Sequence, residues 1–451
     1  MSEQKINIIR NEEGFALMSV LVVSALITGI VMILLVYVMF INVSTVRKIN
    51  KRKLELACIS ALELNKLDTL MTSGEPYIVN IDDQDVRVER NQKGLYWEVT
   101  AEAVSSGITV KLKALIGSRP SRQFNNALSV SQPDAQLVAA GNTRIRGDIF
   151  SPKSRIAPGR IMGIESLPSD YHKGEILSGS GLNARITDDN LITNLFSPVN
   201  YDYDTTIAGR EFILDPVSYE LIKNKNRILV IGKLIVRGSV LTKDKKISLD
   251  FSVNNKVVFE EGAKTNFDFT IHSDSSIVFE KRANIGNIIV ISDSEISVGE
   301  NSTFFNAQLI SSKTVSIKGS LFNYPSLLML YVDTENEETS EAVLSINSSV
   351  INGSVILICD RAGLNVNKSK ILIENSRIQG ALYSENYSEI TGSILGTVYT
   401  YKLLFNKAPT EYINWMVNLN IDRPGLDDSF LLPVCFNNVN DYEILRKSWI
   451  Y

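Results

Sequence analysis

The sequence predicts a mainly β protein: a long N-terminal transmembrane α-helix, a small antiparallel β meander, then a parallel β-helix (solenoid) with a C-terminal cap. Three observations predict it. Residues 15–46 contain no Asp, Glu, Lys, Arg or His over 32 positions. Residues 77–117 break into short runs of period two. Further on, apolar triplets begin at intervals of 20, 19 and 19 residues.

The uncharged stretch comes first. A bilayer core about 30 Å thick needs about 20 helical residues, so residues 15–46 span it with length to spare. The run also exceeds the apolar region of an ordinary signal peptide, roughly 7–15 residues. The remaining boundaries follow: a polar leader over 1–14, a helical stalk over 47–74, a meander over 75–120, a solenoid over 127–401 and a cap over 402–451.

The stalk is read from Leu54, Ala57, Ala61, Leu64 and Leu67, whose spacings of three and four put them on one helical face. Gly74 and Pro76 end it. A helix from Phe15 to about Leu70 is roughly 84 Å long at 1.5 Å per residue. It can lift the body off the lipid, pack partner helices, or pack on the protein's own sheet. In the meander, Tyr77–Val79, Val86–Val88, Tyr96–Val99 and Ile108–Leu112 read as strands separated by turns at Gly94 and Gly107. Pro120 and the polar run 118–126 mark a boundary.

The repeats dominate the rest. A unit of the form apolar–x–Gly–small or polar–apolar occurs at Ile145–Ile149, Val236–Val240, Ile317–Leu321, Ile351–Val355, Ile378–Leu382 and Ile390–Ile394. Between these, Val257–Phe259, Ile277–Phe279, Ile296–Val298 and Val315–Ile317 keep the period near 20. Polar steps such as Ser273-Asp274-Ser275 and Ser292-Asp293-Ser294 precede them. Short strands joined by small-residue corners at that period suit a coil whose turns complete one another's cores. An antiparallel sandwich would have turns every 8–12 residues instead. Residues 153–226 and the acidic stretch Asp333–Glu341 break the beat and are expected as side loops. Past Tyr399 the repeat stops, and 402–451, with Trp415 and Trp449, is expected to cover the last turn or to dock a partner.

Composition excludes several functions. Lys and Arg number 46 against 50 Asp and Glu, a net charge of -4, so the whole chain makes no electrostatic case for nucleic acid or acidic substrates. Cys58, Cys359 and Cys435 are odd in number and lack CxxC spacing, which argues against a zinc site or a disulfide framework. A single Cys359–Cys435 bridge stays open. Two histidines, His172 and His272, cannot build a His-rich metal centre, and no HExxH, GxSxG, P-loop or GxGxxG occurs. Parallel β-helix polysaccharide hydrolases and lyases place carboxylates on adjacent turns, so Asp274 with Asp293, or Asp202 with Asp204 in a side loop, are the one catalytic arrangement to weigh, and a polysaccharide-active enzyme is the third functional alternative. Their Ser and Thr neighbours favour solvated corners. The expectation is therefore no catalytic residue, no cofactor and no metal.

Three resemblances bear on function. Asn11-Glu12-Glu13-Gly14-Phe15 ahead of the apolar run resembles the type IV prepilin N-terminus, which implies cleavage after Gly14 and Phe15 as the mature first residue. Major pilins usually carry Glu at the fifth mature position; Ser19 stands there, which implies a minor or tip role. Leu137–Lys153 and Tyr412–Pro433, including Asn420-Ile421-Asp422-Arg423, are similar to uncharacterised Bacteroidota envelope proteins with one transmembrane helix. That implies an inner-membrane protein with its body outside, beside a pilus-like or type II secretion-like apparatus. The Gly-containing unit alone also resembles bactofilins, cytoplasmic β-helical polymers. The cluster Arg47, Lys48, Lys51, Arg52 and Lys53 favours that alternative, because positive flanks stay cytoplasmic. The expected partners are membrane lipid and other envelope or pilus-like subunits, and no nucleic acid.

Overall fold

With no proline and only two glycines between residues 3 and 65, nothing breaks the helix. In the computed structural model α1 runs unbroken over Glu3–Asn65. The structure describes residues 3–65, 76–120, 122–153, 155–179, 187, 189–196, 202–242, 247–332, 342–359, 369–427, 429–436 and 442–450, the last of these and 3–14 for backbone alone. The expected end of the helix at Gly74 and the loop 333–341 lie outside those residues.

Four antiparallel strands follow: β1 (Tyr77–Ile81), β2 (Gln84–Lys93), β3 (Tyr96–Ser105) and β4 (Ile108–Ser118). The β1–β2 hairpin turns on Asp82 and Asp83, both at positive φ, the backbone that a two-residue loop needs to match strand twist. Alternation puts Val86, Val88, Val99, Ala101, Val110 and Leu112 on one face, where they meet Leu54, Ala57, Cys58, Ala61 and Leu62 of α1. So the end of α1 packs on its own sheet. Leu64, expected on that face, is 52% exposed, and Cys58 and Leu62 take its place. Residues Tyr442–Ile450 add a fifth strand, antiparallel to β4.

The body is a parallel β-solenoid of about 11 turns. Val257 stacks on Ile277, Ile277 on Ile296 and Ile296 on Val315, all in parallel register, so the period in the sequence is the register of the coil. Each turn has three sides, as in 248–253, 257–259 and 264–265, stacked on 268–273, 277–279 and 284–286. Inside runs an aromatic column: Phe259 stacks on Phe279 at 4.4 Å, Phe279 meets Phe304 edge-on at 5.1 Å, and Phe304 stacks on Phe322 at 4.4 Å. The polar steps turn corners. Ser273, Ser292 and Ser311 are buried there, and their hydroxyls donate to the carbonyls of Asn255, Ser275 and Ser294 at 2.8, 2.7 and 2.8 Å. At two repeat glycines no other residue fits. A Cβ on Gly353 would lie 1.8 Å from the Ser326 carbonyl oxygen, and one on Gly380 2.0 Å from that of Gly353.

The six Gly units do not form one column. Ile351–Val355 stacks on Ile378–Leu382 residue by residue, whereas Ile317 stacks on Ile346 and then Ile373, on another side of the coil.

The stacking order also departs from chain order. Val398–Thr400 pairs with Leu128–Val130, which continues through Ile149 to Ile176. Alongside, Ser393 and Ile394 pair with Asn420 and Ile421, which pair with Arg144 and Ile145, and Ile145 with His172. Residues 128–177 thus finish the end of the stack that 400 leaves open, and the chain enters the opposite end at Thr205–Leu214. Two expectations change. Residues 157–158, 172–173 and 176–177, expected in a side loop, are strands of terminal turns. Residues 402–451 are not one closing piece: 415–417 and 420–422 are inserted strands, and 442–450 joins the meander. The physical reason is that a parallel edge accepts any strand of matching alternation, whatever its place in the chain.

The end that starts at Thr205 has its own cover. Helix α3 (Pro216–Ile222), which among the described residues follows α1 and a short α2 (Asp189–Phe196), turns Tyr219 and Ile222 onto the interior, with Tyr219 5.3 Å from Phe267. Asp215 caps it, accepting from the amides of Val217 at 3.0 Å and Ser218 at 2.8 Å. Strand Thr205–Leu214 pairs on one side only among the described residues, and a bulge between Ala208 and Glu211 blunts its edge.

Candidate functional site

Two features present themselves for function: the exposed part of α1, and its joint with the solenoid. Every large apolar side chain from Phe15 to Val46 is exposed, Phe15 at 76%, so this cylinder has no partner among the described residues. It is long and apolar enough to cross a membrane. Its hydroxyls are satisfied locally: Ser19 donates to the Phe15 carbonyl at 2.9 Å and Thr28 to that of Ser24 at 2.8 Å. Ser19 therefore brings neither charge nor an open hydrogen bond into the apolar segment. Gly14 and Phe15 are consecutive residues within α1, with no break between leader and helix. The five cations follow at residues 47–53, directly before Leu54 begins the buried face.

The helix–sheet unit docks on one outer side of the solenoid. Strand runs there are apolar at both parities, as in Leu327–Val332 and Val355–Cys359: Leu328, Leu330, Val355 and Leu357 fill the coil, while Leu327, Met329, Ile356 and Ile358 are covered from outside. Leu95, Phe124, Leu432, Cys435 and Phe436 cover Ile289, Ile310, Met329 and Ile356. Polar bonds fix the register. Gln308 accepts from the Leu95 amide at 2.8 Å and donates to the Lys93 carbonyl at 3.0 Å. Lys93 reaches Asp268 at 2.6 Å and Glu98 at 3.0 Å, and Glu98 also meets Lys113 at 2.9 Å. Burial opposes charge on both Lys93 and Glu98; even so the neighbouring opposite charges hold Lys93 above and Glu98 below their usual ranges. Sequence reading passed over this joint. The signal for it was the unbroken apolar run in strands that elsewhere alternate.

The catalytic arrangements weighed from sequence come out as corners. Asp274 and Asp293 are exposed at equivalent corners of consecutive turns, since Ser273 stacks on Ser292. His272 lies 3.9 Å from Asp293. Asp204 accepts from the amides of Asn226 at 2.6 Å and Arg227 at 3.2 Å, which holds it below the usual carboxylate range and makes it a turn cap. Asp202 is exposed beside it. Cys58, Cys359 and Cys435 are buried and none is in a disulfide, so the bridge left open between the last two is not formed. Trp415 packs edge-on against Tyr412 at 5.0 Å. Among the described residues no group of three or more His, Cys, Asp or Glu side chains could hold a metal ion.

Fold and site together define a β-solenoid protein with one N-terminal helix fit for a single membrane pass. Neither a family model nor a curated protein matches the chain. Among solved structures, the chain is similar to the competence-associated pilin ComZ from Thermus thermophilus, at 8% identity and a TM-score of 0.19, over 84% of this chain and 87% of that one.

Proposed function

We propose that the protein is a structural subunit of the bacterial cell envelope, a minor pilin-like or pseudopilin-like component of a type IV pilus or type II secretion-like apparatus, and not an enzyme. In this reading α1 sits in the inner membrane and packs beside helices of other subunits, and the solenoid is held outside it as a recognition surface. The observation that carries the reading is the continuity of α1. One helix passes from a 32-residue uncharged segment, opened by Gly14-Phe15, directly into the core of an antiparallel sheet at Leu54–Leu62. The membrane segment and the folded body are therefore mechanically one piece. Mass analysis of the N-terminus tests the proposal: cleavage after Gly14 with N-methylated Phe15 is the expected result. An intact leader in cells that process other prepilins would remove the pilin-like role while leaving the anchor.

A second reading has its own observation. The cations at 47–53 are what keeps a flank cytoplasmic, and they favour a bactofilin-like scaffold on the cytoplasmic face of the membrane. Protease treatment of spheroplasts separates the two. Digestion of the solenoid from outside supports the envelope subunit, and full protection supports the scaffold.

A further inference from the structure

The whole chain is weakly acidic, yet one side of the solenoid is locally basic. Where residues 128–177 stack on the end of the 370–400 turns, a groove of about 480 Å³ opens along the coil, within the size range of ligand clefts. Four cations line it, Arg144, Arg146, Lys173 and Arg377, against two carboxylates, Asp170 and Asp422. Arg146 is neutralised by Asp422 at 3.0 Å. Arg144, Lys173 and Arg377 are exposed and make no ion pair among the described residues. Elsewhere on the coil, exposed cations are commonly matched from turn to turn, as Arg237 is by Glu260 and Lys281 by Glu300.

The stack sets their spacing. Gly396 lies directly against Gly380, which sets Ile394 over Ile378; inward-pointing Ile378, Ile394, Ile421 and Ile145 thus form one column, and the residues before them face out as Arg377, Ser393, Asn420 and Arg144. Three strand spacings separate the two arginines, about 14 Å at roughly 4.8 Å per strand. Ser393 and Asn420 lie between them with polar side chains, and half-buried Tyr171 lies at the far end. Asp422 is already engaged, one oxygen holding Arg146 and the other buried away from the groove. We propose that this groove binds an acidic polysaccharide, with its carboxylates on Arg377, Arg144 and Lys173, its hydroxyls on Ser393 and Asn420 between them and a sugar face against Tyr171. A compact anion would leave Ser393, Asn420 and Tyr171 unused, and a neutral glycan would leave the three cations so. The groove continues into a polar concavity of about 700 Å³ lined by Asn142, Glu165, Asn418 and Asn420, which gives an extended chain room to run on.

The test uses the full-length protein in detergent micelles with fluorescently labelled tetragalacturonate, followed by fluorescence polarisation. Saturable binding is expected, weakening as salt is raised. The double variant Arg144→Gln, Arg377→Gln should weaken it at least tenfold, and Tyr171→Ala severalfold. The charge-matched control Lys264→Gln, Lys313→Gln, on other parts of the coil, should leave it unchanged. Melting temperatures equal to the unsubstituted protein's show that the variants are folded. The proposal is overturned by the absence of saturable binding, by equal losses in the control, or by equal affinity for maltotetraose or for single-stranded DNA of matched charge. None of these results bears on N-terminal cleavage, so the groove and the pilin-like role stand or fall separately.

Discussion

The ammonium of Lys93, at the end of β2, lies 2.6 Å from the carboxylate of Asp268 in the solenoid, and this pair ties the helix–sheet unit to the body. Both side chains are mostly buried, at 22% and 24% exposure, and Lys93 also serves Glu98. Lys93→Met would leave Asp268 without its cation and Glu98 with Lys113 alone at this interface. The expected loss is about 2 kcal/mol, the scale of a charged hydrogen bond, read as a lower melting temperature.

The same network fixes the pH response. Glu98 is held below its ordinary value in the fold, so its contribution is present above the unfolded value and is lost as pH falls through the folded one. Lys93 is held above its ordinary value, so its contribution is full below the unfolded value and is lost as pH rises through the folded one. Stability of the joint should therefore decline on both flanks, below the ordinary carboxylate range and above the ordinary lysine range. In Lys93→Met the alkaline decline should vanish. Melting curves across pH check it.

Neighbouring residues Phe304 and Phe305 test the interior column. Phe304 is fully buried between Phe279 and Phe322, and Phe305, one residue on, is 47% exposed. Phe304→Ala is expected to cost about 3–5 kcal/mol, and Phe305→Ala about 0.5 kcal/mol or less. Denaturant unfolding of the two variants distinguishes them, and similar losses would contradict the register of this turn.

Glycine positions separate in the same way. Gly380→Ala would place a Cβ 2.0 Å from the Gly353 carbonyl oxygen at a φ of +148°, whereas Gly209→Ala meets nothing within 4 Å. Backbone strain and overpacking together are expected to cost Gly380→Ala about 3 kcal/mol or more. Gly209→Ala should unfold at the same temperature as the unsubstituted protein. Equal melting temperatures for the two variants would rule out the close approach of these turns.

Much of this architecture was legible in the sequence because a parallel coil writes its register as a period. Val257, Ile277, Ile296 and Val315 are spaced in the chain as they are stacked in space. What was illegible depends on stacking out of order. Nothing in Leu128–Val130 says that it follows Val398–Thr400, since parallel edges carry no address beyond alternation. For that reason the groove was invisible too: Arg144 and Arg377 are neighbours only once the order is known. The helix face was misjudged at Leu64 because a spacing of three or four admits either side of a broad stripe, and the sheet selected Cys58 and Leu62. The outer interface, by contrast, was written in Leu327–Val332 and Val355–Cys359, where alternation fails because both faces are covered.

The cap of the solenoid was legible as well, although at another place than 402–451. Asp215-Pro216-Val217-Ser218 is a helix start: an N-cap acid, proline at the first position, and Ser218 Oγ accepting from the Asp215 amide at 2.8 Å. The helix it begins lays Tyr219 and Ile222 over the open core. Backbone amides hold the Asp215 carboxylate below its usual range, so its capping contribution is present above the unfolded value and is lost as pH falls through the folded one. Asp215→Ala removes the acceptor at every pH. The apolar end of the coil then opens more often beside the strand Thr205–Leu214, an edge able to pair with another chain. The variant should melt earlier and should aggregate near neutral pH at concentrations where the unsubstituted protein stays dispersed in micelles, with light scattering as the readout. Acidifying the unsubstituted protein below the ordinary aspartate range should produce the same aggregation, and Asp215→Asn, which keeps an acceptor oxygen, should resist it. If Asp215→Ala and Asp215→Asn scatter alike, the helix is not what closes this end.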